Sequence, residues 1–368
     1  MTTLSPQSGD LLLLVGTTKG AFLLHSDSKR ENFTVSGPHI TGAAVYALAF
    51  DGRAGRQRIY AGAQSFFFGT QLRHTDDFGA SWVEPAEPLI AFPEDTGASL
   101  ENIWQINLPA DEPDVVQVGV EPAALFRSED VGKTFTLNRG LWDHPHRERW
   151  APGGGGLCMH TIVPTPGNTQ ETMVAVSAGG AYRTEDGGQS WSASNAGIRV
   201  DFGPDDYPEF GQCVHKISRD SADPTRLFLQ NHGGLYRSDD SGQSWNDIGE
   251  DVPSDFGFAM VTHPRQPSTA YCIPIESAEW RCTPEGKARV YRTTDGKSWQ
   301  PLTNGLPQQD AHLTILRDGF AADTLDPAGL WFGTRTGQVY GSHDEGESWS
   351  QITDLLPPVT CVKTAVIP

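Results

Sequence analysis

A short turn sequence recurs along the chain roughly every 50 residues, and this period constrains the fold more than any other feature. "HTDDFGASW" (74–82), "RSEDVGKTF" (127–135), "RTEDGGQSW" (183–191), "RSDDSGQSW" (237–245) and "GSHDEGESW" (341–349) share one template. It reads Ser/Thr, any residue, Asp, any residue, Gly, any residue, Ser/Thr, aromatic. "RTTDGKSW" (292–299) fits with one residue deleted before its Gly, and "GAFLLHSDSKRENF" (20–33) is a degenerate copy. The conserved positions of the template are Asp77, Asp130, Asp186, Asp240, Asp295 and Asp344. Self-similarity at a fixed period of this size marks a repeat architecture.

Each unit follows one plan. An apolar run such as "NIWQINL" (102–108) comes first, then a Pro/Asp turn such as "PADEPD" (109–114). A second apolar run, "VVQVGV" (115–120), and a third, "ALFRS" (124–128), lead into the Asp turn and a last short strand. Four strands in about 50 residues make one propeller blade. Seven units can be counted, and the first lacks its innermost strand. The C-terminal "VTCVKTAV" (359–366) supplies it. The reading is therefore all-β: a seven-bladed β-propeller of four-stranded blades, forming one domain over residues 1–368. The C-terminal strand completes the N-terminal blade and closes the ring, which leaves no open sheet edge. The 40 Gly, 26 Pro and 10 Trp agree with many short strands joined by turns.

The repeated S/T-x-D-x-G-x-S/T-W resembles the Asp-box, or BNR, repeat of sialidases, sortilin-type receptors and xyloglucan-degrading enzymes. The whole chain is similar to bacterial single-domain Asp-box propellers described as sialidase-like or glycosyl-hydrolase-like. The resemblance implies the propeller fold and leaves function open, because the repeat occurs in enzymes and non-enzymes alike. Sialidases also share an arginine triad and an early Arg-Ile-Pro motif. No Arg-Ile-Pro occurs here, and the first two blades offer no arginine placed for the triad.

A catalytic site needs one copy of a motif, whereas a fastener is needed in every blade. The Asp carboxylate can accept N–H bonds within its own turn, Gly can take positive φ, and the aromatic can plug the space between sheets. A calcium loop would need oxygens at alternating positions and a later Glu, and only one Asp is constant. All six aspartates are read as structural.

The net charge of −19 repels phosphate backbones and anionic lipids, so neither nucleic acid nor membrane is expected as a partner. The first residues carry no basic flank, and the apolar run Leu11 to Val15 is too short for a secretion signal. Five cysteines without disulfide-like spacing agree with a reducing compartment, although Cys272 and Cys282 could face each other across a hairpin. The chain is read as cytoplasmic.

Strand order sorts the loops onto two faces. The Asp turns share a face with the short Pro/Asp turns. The opposite face collects the long irregular segments 83–102, 138–157, 195–212 and 274–288, where function tends to sit on rigid scaffolds. By this assignment His144, His146, His160, His215, His232 and His312 lie on or beside it. Cys158-Met159-His160 and Cys213-Val214-His215 occupy equivalent places in two successive blades. Residues i and i+2 of a strand point the same way, so each pair can share a face. Cys158, His160, Cys213 and His215 are the candidate metal ligands, with zinc or iron the fitting ions; no other cofactor is expected. Ordinary core packing is the alternative for the same residues.

Tyr46 and Trp104 hold the corresponding places in earlier blades, as pocket floor or inter-blade packing. Trp104, Glu121, Arg149, His160, His215 and Arg335 are the candidate ligand-binding residues, with Glu121, His160 and His215 as catalytic candidates. Further carboxylates are Glu101, Asp143, Asp205, Asp206, Glu209, Asp255 and Glu276, but no spacing singles out a pair. The run Gly153 to Gly156 lacks the Lys-Ser/Thr of a phosphate loop and reads as a flexible connection. The favoured function is a propeller whose loop-rich face binds a small molecule, glycan or protein partner. The alternative is an enzyme on that face, either a carboxylate-based glycoside hydrolase or lyase or a metal-assisted activity. The sequence leaves that choice open.

Overall fold

The computed structural model describes residues 2–368. They form seven antiparallel sheets arranged in a closed ring, with one four-residue α-helix, Arg139–Trp142. Six sheets have four strands. The second, built on Ala44–Asp51, Arg58–Ser65 and Gly69–Thr75, has three, and its fourth is reduced to a single bridge between His74 and Val83. Pro85 and Pro88 follow Val83 closely and offer no N–H to extend the ladder.

The ring closes between its two ends. Val359–Val366 pairs with Leu11–Thr17, running from Leu11 opposite Val366 to Thr17 opposite Val359. Gly20–Ser26 and Thr34–His39 complete that first blade. The uninterrupted run "LLLLV" is explained by burial on both faces. Leu12 and Leu14 pack with Val45, Leu48 and Ile59 of the second blade. Leu11, Leu13 and Val15 pack with Trp331 and Val339 of the seventh. Successive residues thus serve different neighbours, and neither face can be polar. The same alternation recurs around the ring, so the core is a set of apolar layers, one between each pair of adjacent blades.

The Asp turns have the geometry of fasteners. In the fourth blade, Ser190 donates both its N–H (2.9 Å) and its hydroxyl (2.6 Å) to the Asp186 carboxylate. The Thr184 hydroxyl also donates to Asp186 (2.8 Å) and accepts from Gly188 N–H (2.8 Å). The corresponding bonds form at Asp77, Asp130, Asp240, Asp295 and Asp344. At three of the turns the tryptophan then stitches blades together. Trp191 Nε1 donates to Asn138 Oδ1 (3.0 Å), Trp245 to the Ser194 carbonyl (2.9 Å) and Trp299 to the Ile248 carbonyl (2.7 Å). Each acceptor lies at or just past the outermost strand of the preceding blade.

The innermost strands share a defect that matters for the site. Ladder register shifts at Tyr46, Trp104, His160 and His215, and at Phe258–Ala259 in the sixth blade. Thr360 is the extra residue in the first blade. A bulge leaves one residue out of the ladder and re-aims its side chain. The residues identified above as equivalent by sequence are therefore the bulged ones.

Two consequences can be measured. Trp245 is buried between the fourth and fifth blades, so Trp245→Ala is expected to cost about 3–5 kcal/mol, read from denaturant unfolding. The bonds it receives hold the Asp186 carboxyl down to about 2, from 3.8, with the Ser190 hydroxyl the largest contributor. A depressed carboxylate adds stability above its unfolded value and loses it as pH falls through the folded one. Asp186→Ala should therefore lower the melting temperature at neutral pH, and the gap to wild type should close between about pH 4 and pH 2.

Candidate functional site

A cavity of about 670 Å³ opens at the centre of the loop-rich face. Its floor comes from bulged or neighbouring residues of the innermost strands: Tyr46, Trp104, Cys213, His215 and Phe258. Its walls come from connections between blades, including Ala151 to Gly155, Phe202, Phe256, Thr314, Leu316 and Arg317, and from loops between second and third strands, including Ser177, His232, Arg281 and Arg335. Every blade from the second to the seventh contributes. The volume suits a small ligand.

The electrostatics of this cavity oppose those of the whole protein. Arg281, Arg317 and Arg335 line it, and among the described residues no Asp or Glu does. None of the three arginines has a carboxylate within 4.0 Å among those residues, although the chain carries 46 acidic residues. Arg317 is held by the Ser177 hydroxyl (3.3 Å) and lies 5.7 Å from the ring centre of Trp104 and 5.6 Å from that of Phe258. Arg281 donates Nε–H to the Ala278 carbonyl (2.7 Å) and sits 5.5 Å from Phe258. These contacts hold the guanidiniums in place without neutralising them. Tyr46 and Trp104 pack with ring centres 4.8 Å apart.

The glycine run is a wall rather than a tether. A Cβ on Gly154 would stand 3.0 Å from an Arg281 nitrogen. Gly156, at φ +93, lies so close to Glu121 that a Cβ would fall 1.7 Å from its carboxylate oxygen. Gly156 N–H also closes a turn onto the Gly153 carbonyl (3.0 Å). The sequence reads this run as a flexible connection; in the structure the absence of side chains lets it approach the arginines and Glu121.

The predicted site residues separate. Trp104, Cys213, His215 and Arg335 line the cavity. Glu121 lies behind it, accepting Trp104 Nε1–H (2.9 Å). Burial raises the Glu121 carboxyl, the Trp104 bond partly offsets this, and the charge of Glu101 adds to the rise. Arg149 is elsewhere, exposed and stacked 4.5 Å over the Phe210 ring. Cys158 and His160 are fully buried and do not reach the cavity. His160 Nδ1 meets the Thr161 hydroxyl (3.0 Å), and its Nε2 has no partner. Of the six histidines assigned to this face, only His215 and His232 line the cavity; His146 stacks on Phe210 and His312 lies near Trp280. The remaining carboxylate candidates, Glu101, Asp143, Asp205, Asp206, Glu209, Asp255 and Glu276, do not line it either.

Sequence reasoning missed Arg281, Arg317, Phe256 and Phe258. Arg317 stands just ahead of Phe320–Ala322, the innermost strand of the seventh blade. Fuller alignment of the repeats would have placed it at the ring centre. Nothing local separates Arg281 from Arg289 in the same loop region.

Beneath the cavity a void of about 20 Å³, with room for one water, separates Tyr46, Trp104 and Arg317 from Asp318 and Thr360. Asp318 there receives two ammonium groups, Lys216 (2.8 Å) from the fifth blade and Lys363 from the first. Burial alone would raise the Asp318 carboxyl, but the two lysines hold it well below the usual range. Burial lowers Lys216 despite its partner, whereas Asp318 outweighs burial at Lys363 and raises it.

No family model matches the chain. It is 24% identical over 281 residues to the photosystem II assembly lipoprotein Ycf48 of Synechococcus sp. (strain CC9902), covering 76% of this chain and 68% of that protein. It is 23% identical over 273 residues to an oligoxyloglucan-reducing end-specific xyloglucanase of Emericella nidulans, of which it spans only 32%. Among solved structures, the GH74 xyloglucanase of Xanthomonas campestris superposes with a TM-score of 0.64 at 18% identity, over 97% of this chain and 52% of the enzyme. A structure of YCF48 bound to D1 peptide superposes at 0.51 with 13% identity, over 95% of this chain and 88% of that one. These likenesses establish a seven-bladed propeller. The chain spans about half or less of the two xyloglucanases.

Asp318→Asn would leave two lysines without a counter-charge at the ring centre. Breaking a buried pair in this way costs about 3–5 kcal/mol, so a large fall in stability is expected in denaturant titration, with the double variant Asp318→Asn/Lys216→Met recovering part of it.

Proposed function

We propose that the central cavity binds a small anion, a carboxylate or phosphate carried on an aromatic or sugar ring. The observation that carries this reading is the set of three arginines that, among the described residues, have no carboxylate partner and share a cavity with no lining carboxylate. Guanidinium groups bind such anions through charge-assisted, often bidentate bonds. Tyr46, Trp104 and Phe258 offer flat apolar surface for the ring that carries the charge. Because the walls come from six blades, residues 1–368 act as one domain in this reading. The resemblance to Asp-box (BNR) propellers is supported by the repeated turn geometry. A cytoplasmic setting is supported by five unpaired cysteines.

Glycan and protein recognition are classes suggested by the relatives. A glycan with acidic groups, or a peptide presenting its carboxylate, would use the same arginines. Carboxylate-based hydrolysis has one supporting observation, the raised carboxyl of Glu121. That mechanism needs two carboxyls across the substrate, whereas no Asp or Glu among the described residues lines the cavity and Glu121 is turned onto Trp104 behind the wall. Binding is therefore the function the geometry supports best.

Calorimetric titration with an aromatic carboxylate, a uronic acid and a sugar phosphate, each beside its neutral analogue, tests this. Saturable binding of at least one anion is expected, with Arg317→Ala weakening it about 10–100-fold, as loss of a charged hydrogen bond does. Equal affinity for neutral analogues, or an unaffected Arg317→Ala protein, would overturn the reading.

A further inference from the structure

Cys213, His215 and His232 bring one ligand atom each to within 4.8 Å of the other two, at the wall of the cavity. Cys213 Sγ and His215 Nε2 are 3.5 Å apart. A tetrahedral ion with bonds of about 2.0–2.3 Å holds its ligand atoms roughly 3.3–3.8 Å apart, so this pair already has the spacing. His215 Nδ1 donates to the Gly257 carbonyl (2.5 Å), which fixes the ring and leaves the Nε2 lone pair facing Cys213. Metal-binding histidines are oriented by such a second bond.

His232 needs to move by about an ångström, and its surroundings permit it. Its backbone N–H is tied to the Cys213 carbonyl (2.9 Å), so the two residues share a rigid base. Its side chain makes no hydrogen bond among the described residues and is only partly buried. The rings of Phe202, His215 and Phe256 surround it edge-to-face, with centres at 5.6, 5.6 and 5.1 Å.

From this geometry we propose that Cys213, His215 and His232 form a three-ligand site for a thiophilic divalent transition ion, zinc in particular, with its fourth position open to the arginine-lined cavity. One thiolate and two imidazoles suit zinc and exclude the hard ions calcium and magnesium, which take oxygen ligands. Three protein ligands and an open position distinguish catalytic from closed structural zinc sites. The thiol proton of Cys213 leaves to solvent on binding. Arg281 and Arg317 oppose the ion's charge; the thiolate and the carboxylates of Asp201 and Asp255 offset them. Those two carboxylates reach to 3.7 and 3.8 Å from where a Cβ on Gly233, next to His232, would stand. Cys158 and His160 are not ligands here, which replaces the four-ligand set expected from the sequence. An ion beside three arginines would give an anionic ligand a second point of attachment. The metal site itself does not depend on the anion reading.

The test uses the full chain, stripped with a chelator and titrated with zinc in the absence of any candidate anion. One ion per chain is expected, and cobalt in its place should show a thiolate-to-metal charge-transfer band. Cys213→Ser and His232→Ala should each weaken zinc at least tenfold, and Cys213→Ser should abolish the band. Cys158→Ser should bind as wild type does. Near-ultraviolet circular dichroism establishes that each variant is folded, and His232, less buried than Cys213 and His215, is the substitution of the three that the fold tolerates best. Uptake that does not saturate at one ion, unchanged affinity in the folded His232→Ala protein, or equal loss in Cys158→Ser would each overturn the assignment. Zinc titration of Arg317→Ala keeps the two proposals apart: its zinc uptake should match wild type, and a wild-type protein that takes up zinc but binds none of the anions refutes only the anion reading.

Discussion

Everything in this molecule depends on pairing the first and last strands. Without Val359–Val366, the edge of Leu11–Thr17 would expose a row of unpaired backbone groups, and two of the inter-blade layers would lose a wall. Open edges of this kind invite pairing with other chains. Closure also distributes the core. Each blade supplies side chains to two layers, so no blade can bury its apolar residues alone, and each neighbour interface adds to the stability of the ring.

Closure has a second effect, at the centre. Seven innermost strands converge there, and their bulges turn Tyr46, Trp104, His215 and Phe258 toward one end of the channel. The middle is sealed by charge instead of by apolar packing, through Lys216, Asp318 and Lys363 from three different blades. The cavity above is therefore a cup with a floor. Its three arginines, unpaired with any carboxylate among the described residues, lie inside a protein of net charge −19, so the charge of the cup is opposite in sign to that of the molecule.

The sequence was most informative where a residue type repeats. The Asp turns, the equivalence of Tyr46, Trp104, His160 and His215, and the loop-rich face could all be read from the 50-residue period. The equivalence then misled on one point. Strand alternation suggested that Cys158 with His160 would behave as Cys213 with His215 does. In the structure His160 is enclosed against Thr161, whereas His215 faces the cavity with His232 beside it. Equivalent backbone positions do not have equivalent surroundings, because the connections packed over them differ in length and content. The same loops account for Arg149, whose contact with Phe210 lies within sequence that no repeat governs.

The sequence by itself determined the architecture: seven blades, the fasteners, the closing strand and the face that carries the irregular loops. These follow from periodicity, which is a local property repeated many times. Only the tertiary structure decided the composition of the cup. Arg281, Arg317 and His232 are 85 residues apart at the extremes and come from three blades. Their meeting rests on the path of long connections over the ring, and that path is set by contacts such as the Gly153 to Gly156 turn against Glu121 and Arg281. No pattern along the chain encodes such contacts, because they form only once the ring has closed.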